Sequence, residues 1–255
     1  MIVFVAGMSR AGSMWTYNVA RAIFESEGWS VLPREISEAE DAFIKSALTS
    51  EEKENEVVCI KTHLLLKNPL PTKHEVKIIC NIRDVRDACL SYIRFMHGDY
   101  QEAKRVMIGM MDTADYYFSA FQNNLLNVRF EDLTHAPMDV LENISAFLNI
   151  DLSESKKKEI LQKFDKSNIQ DKLRDMSKIE VDANAKVKDA EQRLKFDAIK
   201  NLDGTYRVMD KVTGFQSGHI TSVADGEWKT YFDKNQTDQL NSLSREWLLK
   251  FGYEV

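Results

Sequence analysis

The sequence predicts an α/β protein, a doubly wound three-layer sandwich with a central parallel sheet. Two observations support this prediction. Short continuous runs of apolar, often β-branched residues are typical of strands that are buried on both faces. Segments with helical spacing of apolar residues separate these runs, and such alternation is typical of a parallel sheet covered by helices. With 255 residues, 44% of them hydrophobic, the chain is long enough for one domain of this kind.

The predicted elements alternate along the first 150 residues. Strands are predicted at 2–6, 57–61, 76–82 and 126–130, with a weaker strand near 29–32. Helices are predicted at 13–27, 36–48, 84–97, 100–122 and 137–148. Because ligands of such sheets bind beyond the carboxyl ends of the strands, we expect the residues that follow strands 2–6, 57–61 and 76–82 to be neighbours in space.

The second part of the chain has a different composition. From about residue 151 it is rich in Lys, Glu, Asp and Ser, and no buried strand is predicted over 151–200. We expect helices laid against the sheet, with a lid at 176–213 and a segment at 214–229 that closes over a bound ligand. The end of the chain, Trp228 to Phe251, predicts one helix with Leu240, Leu243, Trp247 and Leu248 on one face.

The loop after the first strand has the glycine spacing of a phosphate-binding loop. Gly7 and Gly12 stand five residues apart between a strand and a helix, where backbone N–H groups and the helix N-terminus can bind an anion. The full P-loop pattern also requires a lysine and a hydroxyl residue, but Ser13 and Met14 stand there. The sequence therefore predicts a P-loop-like fold that holds a phosphate-like group, with Arg10 supplying charge. An ordinary strand-to-helix turn is the alternative.

Bulk properties exclude several classes of protein. The net charge of −6 argues against general nucleic-acid binding. No apolar stretch approaches 18 residues, so no membrane span is expected, and a strand directly after Met1 predicts no signal peptide. Cys59, Cys80 and Cys89 lie in apolar surroundings and predict reduced, buried thiols and a cytoplasmic location. No Cys/His cluster has metal-binding spacing, so no metal is expected.

Two further motifs follow predicted strands. Lys61-Thr62-His63 places an imidazole at the ligand edge, and a pKa near 6.5 would suit a general base. Arg83 ends the next strand and Ser91 lies two turns into the following helix, so the two can grip one phosphate from two sides. A histidine satisfied by backbone groups and a surface salt-bridge pattern are the respective alternatives.

Together these motifs resemble those of the cytosolic PAPS-dependent sulfotransferases. The similar segments are, in the family's order, Ser9 to Trp15 for the phosphosulfate loop, 61–64 for Lys-Thr-His-Leu, Arg83 and Ser91 for the 3′-phosphate pair, 130–132 for Tyr-Glu-Asp, and 226–229 for Gly-Asp-Trp-Lys. The resemblance covers the chain from end to end. It implies a single domain over 1–255, with a nucleotide-binding core at 1–150 and the mostly helical remainder at 151–255.

The resemblance implies transfer of a sulfuryl group from PAPS to a hydroxyl or amine of a small-molecule acceptor by in-line displacement. His63 would be the general base, while Lys61 and Arg10 would neutralise the developing charge. Trp15 and Phe130 would flank the adenine. The cofactor-binding residues that the resemblance implies are Arg10, Ala11, Gly12, Ser13, Met14, Trp15, Arg83, Ser91 and Phe130.

The chain departs from the family pattern in four places. Arg10 replaces the usual loop lysine, and Met14 replaces one of two threonines. The Arg-Lys-Gly triplet before the Gly-Asp-Trp turn is absent, and 221–223 read Thr-Ser-Val instead. The residues expected to supply the second phosphate contact are Gly218, His219, Thr221 and Ser222. The family's dimer motif is not matched after Lys229, so the oligomeric state is left open.

Two alternative functions stay open at this point. A small-molecule kinase could share the fold, but Ser13 and Met14 remove the lysine and the magnesium ligand that ATP chemistry uses. A nucleotide-binding module without catalysis would fit the altered loop and the missing triplet. Lys61 and His63 argue against such a module, because binding alone requires no base at that strand end.

Overall fold

The structure is a computed structural model that describes residues 1–36, 41–51, 53–66, 70–220 and 223–255. At its centre lies a five-stranded parallel sheet with the strand order β2-β3-β1-β4-β5. The strands are β1 (Ile2–Gly7), β2 (Ser30–Leu32), β3 (Glu56–Lys61), β4 (Val76–Ile82) and β5 (Leu125–Arg129). The chain forms β2 and β3 on one side of β1 and then β4 and β5 on its other side, which makes the carboxyl end of β1 the topological switch point.

Helices connect and cover the strands. They are α1 (Ser13–Ser26), α2 (Asp41–Thr49), α3 (Val85–Met96), α4 (Tyr100–Ala120), α5 (Phe130–His135), α6 (Pro137–Phe147), α7 (Glu154–Lys163), α8 (Lys166–Met176), α9 (Trp228–Tyr231) and α10 (Lys234–Lys250). Local sequence explains several starts. The carboxylates of Asp84 and Asp99 accept backbone N–H groups at the starts of α3 and α4, and Pro137 occupies the first turn of α6, where its missing N–H costs nothing.

Two hydrophobic cores lie on opposite faces of the sheet. Successive residues of a strand point to opposite faces, and in β1 Ile2 and Phe4 join the core under α3, α4 and α10. Val3 and Val5 join the other core, under α1, α6 and α7. All four side chains are buried, which explains the continuous apolar run in the sequence. The predicted three-layer α/β sandwich is confirmed.

The expectation of helices alone over 151–200 is wrong at its end. Phe196–Lys200 (β6) pairs antiparallel with Tyr206–Asp210 (β7), and Gly204 adopts a positive φ in the turn between them. Most residues of this hairpin are only half-buried, so the sequence has no continuous apolar run to reveal it. The hairpin lies within the predicted lid at 176–213.

The predicted helix from Trp228 to Phe251 is also wrong in part. It is divided into α9 and α10, because Asp233 begins α10 with a capping box that pairs it with Gln236. Leu240, Trp247 and Leu248 are buried as expected, whereas Leu243 is 52% exposed. Ser244 takes the buried position one turn after Leu240 and donates its hydroxyl to that residue's carbonyl.

Smaller differences concern element boundaries and the cysteines. The predicted helix at 36–48 is described only from Asp41 onward, since 37–40 lie outside the described residues. Phe130, predicted as the last residue of a strand, begins α5 instead. The three cysteines are buried and unpaired, as predicted. No described helix is both long and apolar enough to cross a membrane.

Candidate active site

Three predicted site segments leave neighbouring strands at the same edge of the sheet. In the parallel register Val5 lies opposite Lys61, and Gly7 lies opposite Asn81. The first loop, the Lys-Thr-His motif and the Arg83 segment therefore converge where β1, β3 and β4 end. His63 confirms this proximity, since its Nδ1 lies 3.0 Å from the Gly7 carbonyl oxygen.

The first loop presents the start of α1 to a ligand. Gly7 has a φ of 95°, and a Cβ there would lie 2.3 Å from the Asn81 carbonyl oxygen, so only glycine fits. Gly12 adopts a φ of 80° directly before α1. The first turn of α1 has no acidic residue and no side-chain cap, so its N–H groups and the positive end of its dipole are available to an anion.

Lys61 and His63 form a hydrogen-bonded pair. The Lys61 Nζ lies 2.7 Å from His63 Nε2, and because an ammonium group only donates, Nε2 accepts and Nδ1–H donates to Gly7. Burial and the Lys61 charge lower the pKa of His63 to about 3. Burial and Arg10 lower the pKa of Lys61 to about 8. The ordinary pKa expected for His63 is therefore wrong, because the sequence shows neither the burial of the imidazole nor its contact with Lys61.

Arg10 joins the first loop to two other predicted site segments. Its Nε donates to the Ser91 hydroxyl at 3.1 Å, and its second guanidinium nitrogen donates to the His219 carbonyl at 2.7 Å. The guanidinium carbon lies 4.0 Å from the centre of the Phe95 ring, a cation–π contact. Burial and the neighbouring arginines lower the pKa of Arg10 to about 9. Arg10 is thus the central cation of the site.

Arg83 is a buried cation with few partners. Its side chain is 2% exposed and stacks on Phe130, with 3.9 Å between the guanidinium carbon and the ring centre. It donates to the carbonyl oxygens of Arg10 and Val223 at 3.3 and 3.4 Å, while its Nε is buried without a partner among the described residues. Burial lowers the pKa of Arg83. A buried guanidinium with an unsatisfied N–H is costly, and an anion would satisfy it.

Four cations at or beside this edge of the sheet contact no carboxylate within the described part of the chain. They are Arg10, Lys61, Arg83 and Arg207. Arg86, only three residues beyond Arg83, shows the contrast, since its guanidinium forms two hydrogen bonds with the Asp84 carboxylate at 2.7 and 2.9 Å. Four cations that no carboxylate of the described residues contacts, in a chain of net charge −6, point to a site that binds a highly charged anion.

A family model described as a sulfotransferase domain matches residues 2–252, almost the entire chain. The chain belongs to the sulfotransferase family. Membership confirms the family predicted from the motifs and the predicted enzyme class, a PAPS-dependent sulfotransferase. It also displaces the kinase alternative, in agreement with Ser13 and Met14 in the first loop.

Solved structures of sulfotransferases share the fold. Mouse sulfotransferase SULT7A1 complexed with PAP matches with a TM-score of 0.63 and 15% identity, over 97% of this chain and 83% of that one. Retinol dehydratase in complex with androsterone and inactive cofactor PAP matches with a TM-score of 0.59 and 17% identity, over 97% of this chain and 80% of that one. At these identities the likeness concerns the fold alone. A search of curated proteins finds no match.

The remaining predicted loop residues are mostly buried. Ala11, Ser13 and Met14 pack beneath the loop and the first turn of α1. Trp15 lies in a hydrophobic core, where its indole N–H donates to the Phe164 carbonyl at 3.1 Å. Among the described residues no ring contact joins Trp15 to Phe130, which stacks on Arg83 instead. Their role as a pair around adenine stays a prediction.

The last residue of the predicted lid, Thr213, contacts α1, and the predicted closing segment contacts α3 and the first loop. The Asn18 side-chain amide donates to the Thr213 carbonyl at 2.8 Å, and the His219 ring stacks on Phe95 with 5.1 Å between ring centres. Burial and the surrounding cations hold the pKa of His219 well below its usual value. Gly218 is exposed and adopts a positive φ of 75°. Thr221 and Ser222 lie outside the described residues.

Three residues of the site were missed by sequence reasoning. Phe95 lies one helical turn after Ser91, a spacing that places both on one face of α3 and could have revealed it. Asp87 accepts the backbone N–H groups of Gly226 and Trp228 at 2.7 and 3.2 Å, and so holds the Gly-Glu-Trp turn against α3. Burial raises the pKa of Asp87 to about 6. Arg207 comes from the unpredicted hairpin, and nothing in its local sequence marks it.

Two surface cavities of about 250 and 460 Å³ lie away from the predicted site. They are lined by residues within 127–143 and 142–157, and neither lining contains a predicted site residue. The hydrogen bond from Arg10 to the His219 carbonyl joins the first loop to the predicted closing segment. The described residues also contain no group of three or more His, Cys, Asp or Glu side chains suited to a metal ion.

Proposed function

We propose that Arg10, Lys61 and Arg83 at the ligand edge of the sheet bind PAPS and that His63 accepts the proton of a small-molecule hydroxyl or amine during sulfuryl transfer. One observation carries the proposal. At the topological switch point the charges of Lys61 and Arg10 act on a neutral His63 imidazole, and the buried Arg83 has an Nε without a partner among the described residues. An anionic donor and a proton acceptor are the two components that sulfuryl transfer requires.

The cations divide naturally between the two anionic ends of the donor. Arg10, in the first loop, and Lys61, at the end of β3, would bind the phosphosulfate together with the backbone N–H groups of the first loop. Arg83 and Ser91 would hold the 3′-phosphate, the group that distinguishes PAPS from ATP. Gly218 and His219 would close over the bound donor, and Thr221 and Ser222, which follow them in the sequence, are proposed for the same role. Ala11, Gly12, Met14, Trp15 and Phe130 would complete the nucleotide site within the proposed single domain.

Lys61 controls whether His63 can act as a base. In the structure the lone pair of Nε2 is occupied by the Lys61 ammonium group, and the pKa of the imidazole is about 3. A bound anion would attract Lys61 and add negative charge, and both changes raise the pKa of His63. Nε2 would then take the acceptor's proton as the acceptor atom bonds to sulfur and the bond from sulfur to the phosphate oxygen breaks. Arg10 and Lys61 would stabilise the charge on the departing 3′,5′-ADP.

A small-molecule acceptor fits the surroundings of His63. Leu64 and Leu65 follow it directly and are 69% and 58% exposed, which leaves apolar surface beside the base. Tyr117 anchors this segment by donating its hydroxyl to the Leu64 carbonyl. The similar structure of retinol dehydratase holds androsterone, which supports the proposal of a small-molecule acceptor.

The first test measures nucleotide preference by isothermal titration with 3′,5′-ADP, 5′-AMP and ATP with magnesium. We expect 3′,5′-ADP to bind at least tenfold more tightly than the other two. Preference for ATP with magnesium, or no binding of any nucleotide, would contradict the proposal.

The second test separates an enzyme from a module that only binds nucleotide. His63→Ala should abolish sulfuryl transfer from PAPS in a screen of hydroxyl and amine acceptors, while its affinity for 3′,5′-ADP stays within threefold of the wild type. Near-normal turnover by this variant would remove the general-base role. Tight 3′,5′-ADP binding without transfer by the wild type to any acceptor would favour the binding module.

A further inference from the structure

The unpredicted hairpin brings a fourth cation to the site from outside the sheet edge. The backbone N–H of Leu202 donates to the Met96 carbonyl at 3.3 Å, and His97 Nδ1 lies 2.7 Å from an Asp203 carboxylate oxygen. These contacts dock the turn of the hairpin on the end of α3. Arg207 on β7 consequently lies against Phe95, with 4.6 Å between its guanidinium carbon and the ring centre.

Neutral side chains orient the Arg207 guanidinium and do not compensate its charge. Its Nε donates to the Gln216 side-chain oxygen at 2.5 Å, and another guanidinium nitrogen donates to the Asn201 side-chain oxygen. No carboxylate pairs with it in the described ranges of the chain. Two amide oxygens fix the planar group without neutralising it, and a guanidinium with five N–H donors retains further donors for an oxyanion.

Arg207 belongs to the same electrostatic cluster as the reacting groups. It shares the Phe95 ring with Arg10, and His219 stacks on that ring. The charges of Lys61 and Arg207 both act on the His219 imidazole. The strand-end groups already assigned to the two anionic ends of the donor do not include Arg207. In an in-line displacement the acceptor approaches sulfur from the side opposite the leaving phosphate, and the general base lies on that same side.

We propose that Arg207 selects a sulfuryl acceptor that carries a carboxylate or another oxyanion in addition to its hydroxyl or amine. The inference rests on the proposed function, since it assigns the acceptor class of the same site. The guanidinium of Arg207, which Phe95 holds in place, would bind the oxyanion through two parallel N–H groups. A neutral acceptor would leave this half-buried cation without a partner.

The test uses the full chain saturated with 3′,5′-ADP and two probes of matched shape, 3-(4-hydroxyphenyl)propanoate and its primary amide. Isothermal titration should show at least tenfold tighter binding of the carboxylate. Arg207→Gln should reduce this preference to within threefold, and Arg207→Lys should retain part of it, because the charge remains but the planar fork is lost. Arg105→Gln, which removes an exposed arginine of α4, should leave the preference unchanged.

The outcomes distinguish the two proposals. Failure of the wild type to bind 3′,5′-ADP contradicts the proposed function itself. Normal 3′,5′-ADP binding without a carboxylate preference, including no binding of either probe, overturns the acceptor proposal alone. A loss of tenfold or more in 3′,5′-ADP affinity in Arg207→Gln also overturns it, because Arg207 would then belong to the donor site. The comparison of the two probes on the wild type requires no variant, so poor folding of Arg207→Gln does not prevent the test.

Discussion

Replacing Arg83 by methionine should weaken nucleotide binding while leaving the fold almost as stable as before. The guanidinium is 2% exposed, its two backbone hydrogen bonds are long, and its Nε has no partner among the described residues. Removing an unsatisfied buried donor recovers about 1–3 kcal/mol, whereas losing the stack on Phe130 costs up to about 2 kcal/mol. These two effects nearly cancel, so we expect the free energy of unfolding without nucleotide to change by less than about 2 kcal/mol.

The effect on binding should depend on the 3′-phosphate. Hydrogen bonds to charged groups contribute about 1.5–3 kcal/mol, and each 1.4 kcal/mol is a factor of ten. Arg83→Met should therefore weaken 3′,5′-ADP binding by about 10- to 150-fold in isothermal titration. Binding of 5′-AMP, which lacks the 3′-phosphate, should change less than threefold. An equal loss for both nucleotides would refute the assignment of Arg83 to the 3′-phosphate.

Arg86→Met is the matched control. Arg86 is also 2% exposed and also stacks on an aromatic ring, with 4.0 Å between its guanidinium carbon and the Trp228 ring centre. Its charge, however, is paired with the buried Asp84 carboxylate. Breaking such a pair costs about 3–5 kcal/mol, so urea unfolding should show that Arg86→Met is much less stable than Arg83→Met. Equal destabilisation by the two substitutions would refute the conclusion that Arg83 serves ligand binding rather than the stability of the fold.

Three further outcomes are expected. Gly7→Ala should lower the free energy of unfolding by at least about 2 kcal/mol in a urea titration, because the added Cβ would clash with the Asn81 carbonyl and φ is positive. Gly109 on α4 has open space around it, so Gly109→Ala should raise the free energy of unfolding by about 0.5–1 kcal/mol. The free energy of unfolding should fall as the pH drops below about 6.5, because His63 and His219 take up protons there only in the unfolded chain. The slope should approach about 1.4 kcal/mol per pH unit for each histidine. His63→Gln and His219→Gln should each reduce this slope. Finally, 3′,5′-ADP at about 100 times its dissociation constant should stabilise the chain by about 2.7 kcal/mol, and a melting temperature that does not rise would contradict binding to the folded state.

Much of the site could be predicted because its residues follow strands that the sequence identifies. A buried parallel strand requires a continuous apolar run, and the residue after the run lies at the ligand edge whatever the details of packing. Gly7, His63 and Arg83 were placed together on this reasoning, and the structure brings them together. The hairpin of β6 and β7 escaped because half-buried strands alternate weakly and resemble the polar helices around them in composition.

The sequence by itself determined the family, the sheet with its ligand edge, and the cations and imidazole that meet there. Only the tertiary structure decided which of these groups touch. Burial and the contact with Lys61 together set the protonation of His63. Arg83 contacts no carboxylate among the described residues whereas Arg86 is paired with Asp84, and Arg207 reaches Phe95 across more than a hundred residues of chain. Contacts at such separations depend on how whole elements pack, and the pKa of a buried group depends on the charges that this packing brings near it.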